Sequence, residues 1–541
     1  MTMKKILLNT FLLLFIFSLN AQNWGEQILN QQNQGGNYFY GFSVDIDGDY
    51  AIVGALGENE RTGSAHIYKK DANGTWNFHQ KIEAYVGKHS DEYFGWAVAI
   101  QNDLIFVSAR TDRLNEEKFE GLAGSVMIYK KDANDVWNGI QRIRSADIRI
   151  GDNFGYDLAI DGDYLLVGAN GQDYNENNVG KVTSAGAAYL FKKDANDMFT
   201  EVQKLTPSHR DSSDKIGSSV SISGDYLVLA SKNDTDADNV NEIRGNGSAF
   251  VFKKGPNNVW TEIQKLNPSN NSTYSNFGYG DVTISNDFIA IGANSLDVYD
   301  EQSNNWFYGH VFLFKKNNDN IWEESQIIKT PFPASNFGSG VSLDDNLLLV
   351  SAPKSRVEDN GSNVLNVGLS YLFVKNANDN FVLAETIQAS QVDASSTIGE
   401  GEWDGNPSTA SIAISDNHFI IGAPNIDLLD NNPIVYNSGA AFISGNVEEL
   451  GLLNVLSIDD NLQTSISFYP NPIKNKLNIR LSEKHQKIKL NIFNIIGKSI
   501  INKEIENTNN LKIDFNFPKG IYLAKITLED NSTKVIKLIK N

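Results

Sequence analysis

Three alternating aspartates form the stretch of this chain whose spacing comes closest to a metal site: Asp234, Asp236 and Asp238. Calcium takes about six to eight oxygen ligands, and alternating carboxylates open its best-known binding loops. The rest of such a loop is missing, because Asn239 stands where glycine makes the turn and Gly245 where a glutamate binds the ion. We therefore expect at most weak calcium binding and favour a solvated acidic loop.

The other residue types that usually carry catalysis do not occur in the sequence pattern of a known catalytic site. None of the seven histidines stands four residues from another, so the paired-histidine zinc motif is absent, and no Gly-x-Ser-x-Gly elbow occurs. The chain has no cysteine, which excludes disulfides, thiolate metal sites and cysteine nucleophiles. We therefore predict no catalytic residues, no cofactor and no enzymatic activity.

Charge divides the chain into two parts. The net charge of the 541 residues is -20, but residues 465–541 hold 14 Lys or Arg against 6 Asp or Glu, which leaves -28 for the rest. Such asymmetry indicates two domains with different roles. A strongly acidic main part excludes nucleic acid as a partner, because that binding requires Lys and Arg at the phosphates.

The first 21 residues have the pattern of a secretory signal peptide. Lys4 and Lys5 precede the apolar run Ile6–Phe17, which is too short to span a bilayer. We expect cleavage between Ala21 and Gln22.

A motif of about sixteen residues, clearest as FGYDLAIDGDYLLVGA at residues 154–169, recurs seven times. Its spacings are 54, 60, 62, 61, 60 and 71 residues, and such a period predicts a repeat architecture whose units pack on their neighbours. The glycine near its start, or its degenerate replacement, falls at Gly41, Gly95, Gly155, Gly217, Gly278, Gly338 and Thr409.

Each repeat contains four segments with the alternating pattern of short β-strands. The turn between the first two is Asp-Gly-Asp or similar, and its middle position holds Gly, Asn or Asp, which tolerate the positive φ of tight hairpins. Four antiparallel strands in about 60 residues are typical of a propeller blade.

The two ends of the repeat region complement each other. The seventh repeat has three strands and lacks the fourth, whereas Trp24–Leu29 has a fourth-strand sequence without a blade of its own. We predict an all-β, seven-bladed β-propeller with four-stranded blades, in which this N-terminal strand closes blade seven and removes the open edges.

The pieces FG, SVDI, DGDY and VGA resemble the FG-GAP repeats that form the propeller of integrin α-subunits. The resemblance implies an extracellular recognition module or scaffold. Many FG-GAP repeats hold calcium between the first two strands, but the turns of this chain are too short. Asp47 and Asp49 are therefore interpreted as turn residues.

In such a blade, the connection between strands 2 and 3 and the connection to the next blade lie at one end. These connections are long and divergent in this chain, and variable loops on a rigid scaffold usually carry function. Aromatic residues in them are suited to stack on sugars or to anchor a protein. The ligand-binding candidates are Tyr174, Tyr299, Trp306, Phe307, Trp403 and Asp404.

The strands after residue 465 predict a small β-sandwich. They resemble the C-terminal sorting domain of the type IX secretion system of Bacteroidetes, through Asn494–Gly497, the Lys-rich last strand and the sorting motif. The resemblance implies handling by the type IX secretion machinery, passage through the periplasm and a location in the medium or at the outer-membrane cell surface. The sorting motif residues are Tyr469, Pro470, Asn471, Pro472, Gly497, Gly520 and Tyr522.

The sequence thus predicts a signal peptide (1–21), a propeller (22–445), a linker (446–464) and a sorting domain (465–541). We expect a monomeric, secreted or cell-surface recognition or adhesion protein that binds a glycan or a protein through its loops. Two alternatives stay open: a secreted, glycosidase-like enzyme with two carboxylates in the central pocket, and a purely structural surface protein.

Overall fold

The computed structural model describes most of the chain after the first 23 residues and divides into two compact units, residues 1–374 with 383–452 and residues 453–541 with 375–382. The described residues are 24–29, 35–84, 91–115, 120–175, 177, 179–234, 247–269, 276–300, 305–329, 336–355, 357–359, 362–364, 368–389, 402–403, 406–407, 411–427, 436–447, 466–469, 473, 476–494, 499–528 and 533–540.

The fold is all-β, as predicted, and α1 (Glu58–Arg61) is the single helix of the described residues. The early strands are β1 (Gln27–Leu29); β2 (Tyr40–Asp47), β3 (Tyr50–Ala55), β4 (Ser64–Lys70) and β5 (Trp76–Ile82); β6 (Phe94–Gln101), β7 (Leu104–Ala109), β8 (Arg113–Asn115), β9 (Glu120–Leu122), β10 (Ser125–Lys131) and β11 (Trp137–Ile143); β12 (Phe154–Asp161), β13 (Tyr164–Ala169), β14 (Ala187–Lys193) and β15 (Phe199–Leu205).

The later strands are β16 (Ile216–Ser223), β17 (Tyr226–Ser231), β18 (Ser248–Lys254) and β19 (Trp260–Leu266); β20 (Phe277–Ser285), β21 (Phe288–Asp300), β22 (Asn305–Lys316) and β23 (Trp322–Lys329); β24 (Val341–Asp344), β25 (Leu347–Ala352), β26 (Val357–Asp359), β27 (Ser362–Val364), β28 (Leu369–Lys375) and β29 (Phe381–Ile387); β30 (Glu402–Trp403), β31 (Asn406–Pro407), β32 (Ile412–Ser415), β33 (His418–Ala423) and β34 (Ala440–Ile443).

Seven four-stranded antiparallel sheets are present in the described part of the repeat region. Sheet 1 is β2–β5, sheet 2 is β6, β7, β10 and β11, sheet 3 is β12–β15, and sheet 4 is β16–β19. Sheet 5 is β20–β23, sheet 6 is β24, β25, β28 and β29, and sheet 7 is β32, β33 and β34 with β1 as its fourth strand. In sheet 7, Leu29 of β1 is opposite Ala441 of β34.

The turns follow the prediction from the repeat. The middle residue of each first hairpin has positive φ, from 45° at Asp345 to 58° at Gly162. At the second hairpin, the side chain of the first residue holds the turn: Asp71 Oδ1 accepts hydrogen bonds from the backbone N–H groups of Asn73 and Thr75 at 2.9 Å. Equivalent bonds come from Asp132, Asp194, Asn317 and Asn376.

In sheets 1, 3, 5 and 7, the next sheet packs at a glycine near the end of the second strand. A Cβ on Gly54 would stand 2.3 Å from the carbonyl oxygen of Gly95, and one on Gly168 2.2 Å from that of Gly217. These distances leave room only for glycine. Sheet 7 packs on sheet 1 in the same way, because a Cβ on Gly422 would stand 1.9 Å from the Gly41 oxygen.

Residues 453–541 contain a five-stranded sheet of β35 (Ile466–Tyr469), β36 (Lys476–Asn494), β37 (Ser499–Asp514), β38 (Gly520–Leu528) and β39 (Thr533–Lys540). The long β36 pairs with β37 along its length, and a register shift between Arg480 and His485 changes which residues face inward. Leu477, Ile479 and Leu481 are buried before the shift, and the even-numbered Ile488, Leu490 and Ile492 after it.

No helix among the described residues is long and apolar enough to cross a membrane.

Candidate functional site

The seven sheets have two ends. The turn end carries the short hairpins within β2–β3, β4–β5 and their equivalents. The loop end carries the start of each first strand, the end of each second strand and the connections that follow. The side chains of the loop end differ between repeats more than those of the turn end do.

Three positions of each repeat lie at the inner part of the loop end: the residue two before the motif glycine, the residue after that glycine, and the residue after the second strand. In sheets 1–6 the first set is Phe39, Tyr93, Asn153, Lys215, Asn276 and Asn336, the second is Phe42, Trp96, Tyr156, Ser218, Tyr279 and Ser339, and the third is Leu56, Arg110, Asn170, Lys232, Asn294 and Pro353.

The first of these positions has positive φ in all six sheets, from 48° to 62°. The backbone turns sharply there, and in sheet 4 the N–H of Ser218 donates to the carbonyl of Lys215 at 3.1 Å. Asparagine tolerates this conformation, and three repeats have it. Phe39, Tyr93 and Lys215 adopt the same conformation with more strain than asparagine does. Such backbone strain concentrates at functional sites.

Arg110 lies over two aromatic rings that follow motif glycines. Its guanidinium carbon is 4.2 Å from the centre of the Trp96 ring and 5.3 Å from that of Tyr156. The two rings are 5.7 Å apart, and the indole N–H of Trp96 donates to the carbonyl of Tyr156 at 3.0 Å. Because Trp96 and Tyr156 are buried, they hold the partly exposed Arg110 in place from below.

Lys232 occupies in sheet 4 the position that Arg110 occupies in sheet 2. Its side chain is buried, and its Nζ is 4.8 Å from the ring centre of the partly exposed Tyr279. Backbone contacts bring Lys215 close to it, since the N–H of Asn233 donates to the carbonyl of Asp214 at 3.3 Å. We call Trp96, Arg110, Tyr156, Lys215, Lys232 and Tyr279 the cation–aromatic cluster.

The three cations of the cluster all have lowered pKa values. Burial, together with the nearby Lys215 and Arg110, lowers the pKa of Lys232 to about 8. Burial and Arg110 also lower the pKa of Lys215, and burial lowers that of Arg110. Within the described parts of the chain none of the three has a carboxylate within ion-pair distance, and the buried Nε of Arg110 has no hydrogen-bond partner.

Buried aspartates lie on the inner strands. Asp157 accepts the N–H of Leu158 at 2.8 Å and that of Val220 in the next sheet at 2.7 Å. Burial raises the pKa of Asp157 to about 7 and raises that of Asp281, whose Oδ2 has no hydrogen-bond partner, well above its usual value. In sheet 4 a serine, Ser219, makes the bond to the next sheet. These side chains therefore tie neighbouring sheets together.

Comparison with known families decides the identity of the two units. A model of the FG-GAP repeat matches residues 26–68, 76–129, 137–191, 199–252 and 260–314, and a model of the secretion system C-terminal sorting domain matches residues 467–541. This is an FG-GAP repeat protein with a type IX sorting domain. The FG-GAP repeats form a β-propeller, and the sorting domain implies export to the cell surface or the medium through the type IX machinery.

No curated protein matches the chain. A crystal structure of a protein from Lactobacillus plantarum is similar over 68% of this chain and 88% of that one, with 11% sequence identity and a TM-score of 0.39.

The predicted calcium residue Asp234 belongs to an ion pair that recurs at the same position in sheets 1, 2 and 4. An acid three residues after the second strand pairs with a base in the fourth strand: Glu58 Oε1 is 2.6 Å from Lys81 Nζ, Asp112 Oδ2 is 2.5 Å from Arg142, and Asp234 Oδ2 is 2.8 Å from Lys265. Asp236 and Asp238 lie outside the described residues.

Asp234 also belongs to the one group of the described residues that could hold a metal ion, with His209 and Asp214. Its Oδ1 is 3.6 Å from His209 Nδ1. The other carboxylate oxygen is occupied by Lys265 and by the hydroxyl of Ser248 at 2.5 Å. The positive charge of Lys265 opposes a cation here, so the repeated ion pair accounts for Asp234.

Several predicted ligand-binding residues lie on strands instead of loops. Tyr299 on β21 is opposite Trp306 on β22, and the same ribbon includes Phe307, because pairing resumes after a register shift between Ala293 and Asp297. Trp403 is on the two-residue strand β30, which pairs with β31. Asp404 lies outside the described residues.

Tyr174 is half-buried at the loop end of the FG-GAP propeller, with the Arg149 guanidinium 3.7 Å from its ring centre. A cleft of about 340 Å³ nearby is lined by Asn175, Thr206 and Arg210, among others.

Of the sorting-motif residues, Tyr469 is on β35 and Gly520 and Tyr522 are on β38, where the Tyr522 hydroxyl donates to the carbonyl of Pro518 at 2.8 Å. The other sorting-motif residues and the predicted signal-peptide cleavage site are outside the described part: Ala21, Gln22, Pro470, Asn471, Pro472 and Gly497.

The cation–aromatic cluster was not predicted from the sequence. A signal was available, because aligning the repeats shows cations at two positions where other repeats have asparagine. Lys215 replaces Asn153, Asn276 and Asn336, and Lys232 replaces Asn170 and Asn294.

Proposed function

We propose that this chain is an extracellular recognition protein: a closed, seven-bladed propeller that is exported by the type IX system and binds a glycan or a protein at its loop end. The observation that carries the proposal is the contrast between the ends. The turn end repeats similar turns and hydrogen bonds, whereas the side chains of the loop end vary more between sheets. Among the described residues, the loop end also holds three cations without a carboxylate at ion-pair distance.

Contacts between sheets 7 and 1 support closure. A glutamine in the fourth strand of each of sheets 1 to 4 accepts a hydrogen bond from the backbone at the start of the fourth strand of the next sheet. In sheet 3, for example, Gln203 Oε1 accepts the N–H of Trp260 at 2.9 Å. Gln27 of β1 does the same for Trp76 of sheet 1 at 2.8 Å. His418 of sheet 7 packs edge-on against Trp76, as Tyr164 packs against Trp260.

A binding role is favoured over an enzymatic one. The inner-strand carboxylates with raised pKa values are the candidates for catalysis in a central pocket. Both oxygens of Asp157 already accept backbone N–H groups, and a serine takes the equivalent place in sheet 4. This use as a tie between sheets accounts for the aspartates without a reaction.

A screen of the exported chain against immobilised glycans and extracellular proteins tests the proposal. We expect at least one ligand whose binding is weakened by Trp306→Ala or Trp403→Ala and is unchanged by Lys192→Asn at the turn end. The absence of any ligand, or a ligand whose binding is insensitive to every loop-end substitution and is weakened by Lys192→Asn, would contradict it.

A further inference from the structure

We propose that the cation–aromatic cluster binds the anionic group of an acidic saccharide, a sugar that carries a carboxylate or a sulfate. This inference rests on the proposed function, since it assigns a ligand class to the loop end of the same propeller.

The first argument is geometric. Arg110 comes from sheet 2 and Lys232 from sheet 4, and each is held against an aromatic ring at 4.2 Å and 4.8 Å. Lys215 directly precedes the first strand of sheet 4, beside Lys232. Its turn is bound to the end of the second strand, because the hydroxyl of Ser231 donates to the carbonyl of Asp214 at 3.0 Å. Arg110 lies within electrostatic range of both lysines. Arginine in particular matches the paired oxygens of a carboxylate or sulfate.

The second argument is energetic. A buried lysine without a counter-ion destabilises the folded protein, and neighbouring like charges add to this cost. Lys232 has only 6% of its surface exposed, and within the described residues no carboxylate pairs with it, although the chain as a whole has a net charge of -20. An anionic ligand would supply the missing counter-charge.

The third argument comes from the other repeats. The fold does not require a cation at these positions, since asparagine occupies the Lys215 position in sheets 3, 5 and 6 and the Lys232 position in sheets 3 and 5. Lys215 moreover adopts φ of 62°, a conformation that asparagine adopts more easily. The cations are therefore departures from the structural pattern that cost stability, as expected of residues kept for binding.

The surroundings favour a saccharide over an acidic peptide. Amides and hydroxyls line the same end, with Asn153 donating to Asn170 at 3.1 Å and Asn294 to Ser339 at 3.3 Å. Such groups pair with sugar hydroxyls. Tyr279 presents a partly exposed ring, which can pack on a sugar face.

Calorimetric titration of the exported chain tests the inference with three probes: oligogalacturonate, a chondroitin sulfate oligosaccharide and a neutral malto-oligosaccharide. The triple variant Arg110→Asn, Lys215→Asn and Lys232→Asn uses the residue that other repeats have, so it should fold. The matched control Lys192→Asn, Lys253→Asn and Lys315→Asn removes three lysines from the turn end, where they lie over Tyr164, Tyr226 and Phe288.

We expect the parent to bind at least one acidic probe and not the neutral one, the loop-end variant to bind about a hundredfold more weakly, and the control to bind like the parent. The inference is overturned if neither acidic probe binds, if the neutral probe binds equally well, if the loop-end variant keeps its affinity, or if a glutamate-rich peptide displaces the saccharide. A neutral ligand found in the glycan screen would leave the proposed function intact while ending the acidic-saccharide assignment.

Discussion

The two ends of the propeller sheets use their sequences differently. At the turn end, Asp71, Asp132 and Asp194 make the same pair of hydrogen bonds to the backbone two and four residues later. At the loop end, the equivalent positions range from leucine to arginine. Residues that every repeat needs are scaffold, and residues that single repeats add are the candidates for recognition.

The loop end nevertheless contains scaffold of its own. The acid–base pairs after the second strands are buried there, and they are replaced by apolar residues in sheet 7, where Ile426 and Ile28 take the two positions. The loop end therefore combines scaffold residues with candidate recognition residues.

The largest effect is expected at Glu58. Burial alone would raise its pKa, but hydrogen bonds from His66, Lys81 and Ser64 lower it to about 2. We expect Glu58→Ala to reduce the free energy of unfolding at pH 7 by about 3–5 kcal/mol, because the buried Ser64 and His66 lose their carboxylate partner and Lys81 keeps only Glu83. Chemical denaturation measures this.

The control for Glu58 is the exposed turn-end pair of Asp225 and Lys254, at 2.6 Å. Asp225→Ala should cost about 0–1 kcal/mol, because solvent screens that pair. Because the folded pKa of Glu58 is lowered, its contribution should also disappear as pH falls from about 4 toward 2. Equal losses in the two variants would contradict the distinction.

The inner aspartates should act in the opposite direction. Burial raises the folded pKa of Asp45 and Asp157 to about 7, so the folded state binds protons more tightly than the unfolded state. Their destabilising effect is complete above about pH 7 and declines as the pH falls from about 7 toward about 4. We expect the melting temperature to rise over that range.

Asp281→Asn isolates this effect, since it removes a buried carboxyl whose second oxygen has no partner. The free energy of unfolding should rise by about 1–3 kcal/mol at pH 8 and by less at pH 5. A variant that is less stable than the parent at pH 8 would contradict a destabilising effect of this buried carboxylate.

Gln27 tests whether the ring is closed. We expect Gln27→Ala and Gln203→Ala to cost a similar amount, about 1–2 kcal/mol each, because both leave the backbone N–H of a tryptophan without its partner. Urea denaturation of the two variants measures this. A full effect at Gln203 with none at Gln27 would indicate that β1 does not complete sheet 7.

The smallest effect is a gain. Lys215→Asn should stabilise the protein by about 1 kcal/mol, because asparagine tolerates the positive φ and Lys232 loses one of its two cationic neighbours. The reciprocal Asn153→Lys should destabilise it by a similar amount. Calorimetric melting of both variants measures these changes. A stabilising effect of Asn153→Lys would contradict the expected cost of lysine at this positive-φ position.

Much of the fold follows from local sequence. The positive-φ residues at Gly48 and Asn102 and the small residue at Gly54 predict hairpins and close sheet contacts, because these requirements act over a few residues. The long connections were harder to predict: the segment after Ala293 continues as a β-ribbon, whose pairing depends on cross-strand contacts that period alone does not show.

The site was largely beyond sequence reasoning. Spacing drew attention to Asp234, but its partner Lys265 comes from another strand of the same sheet and neutralises it. Arg110 and Lys232 belong to different repeats, and only the packing of sheets brings their charges within range of each other. Long-range packing defines this candidate site, and an alignment of the repeats would have indicated the residues without showing that their charges interact.

We expect recognition to take place at the loop end of the propeller. Hydrogen exchange of the exported chain, measured by mass spectrometry with and without a saturating acidic oligosaccharide, distinguishes the two ends. We expect added protection in peptides that contain residues 93–96, 110–112, 153–156, 215–218 and 276–279, and none at the turn-end hairpins 47–50, 71–76 and 161–164. Protection at the turn-end hairpins, or an even spread over both ends, would contradict it.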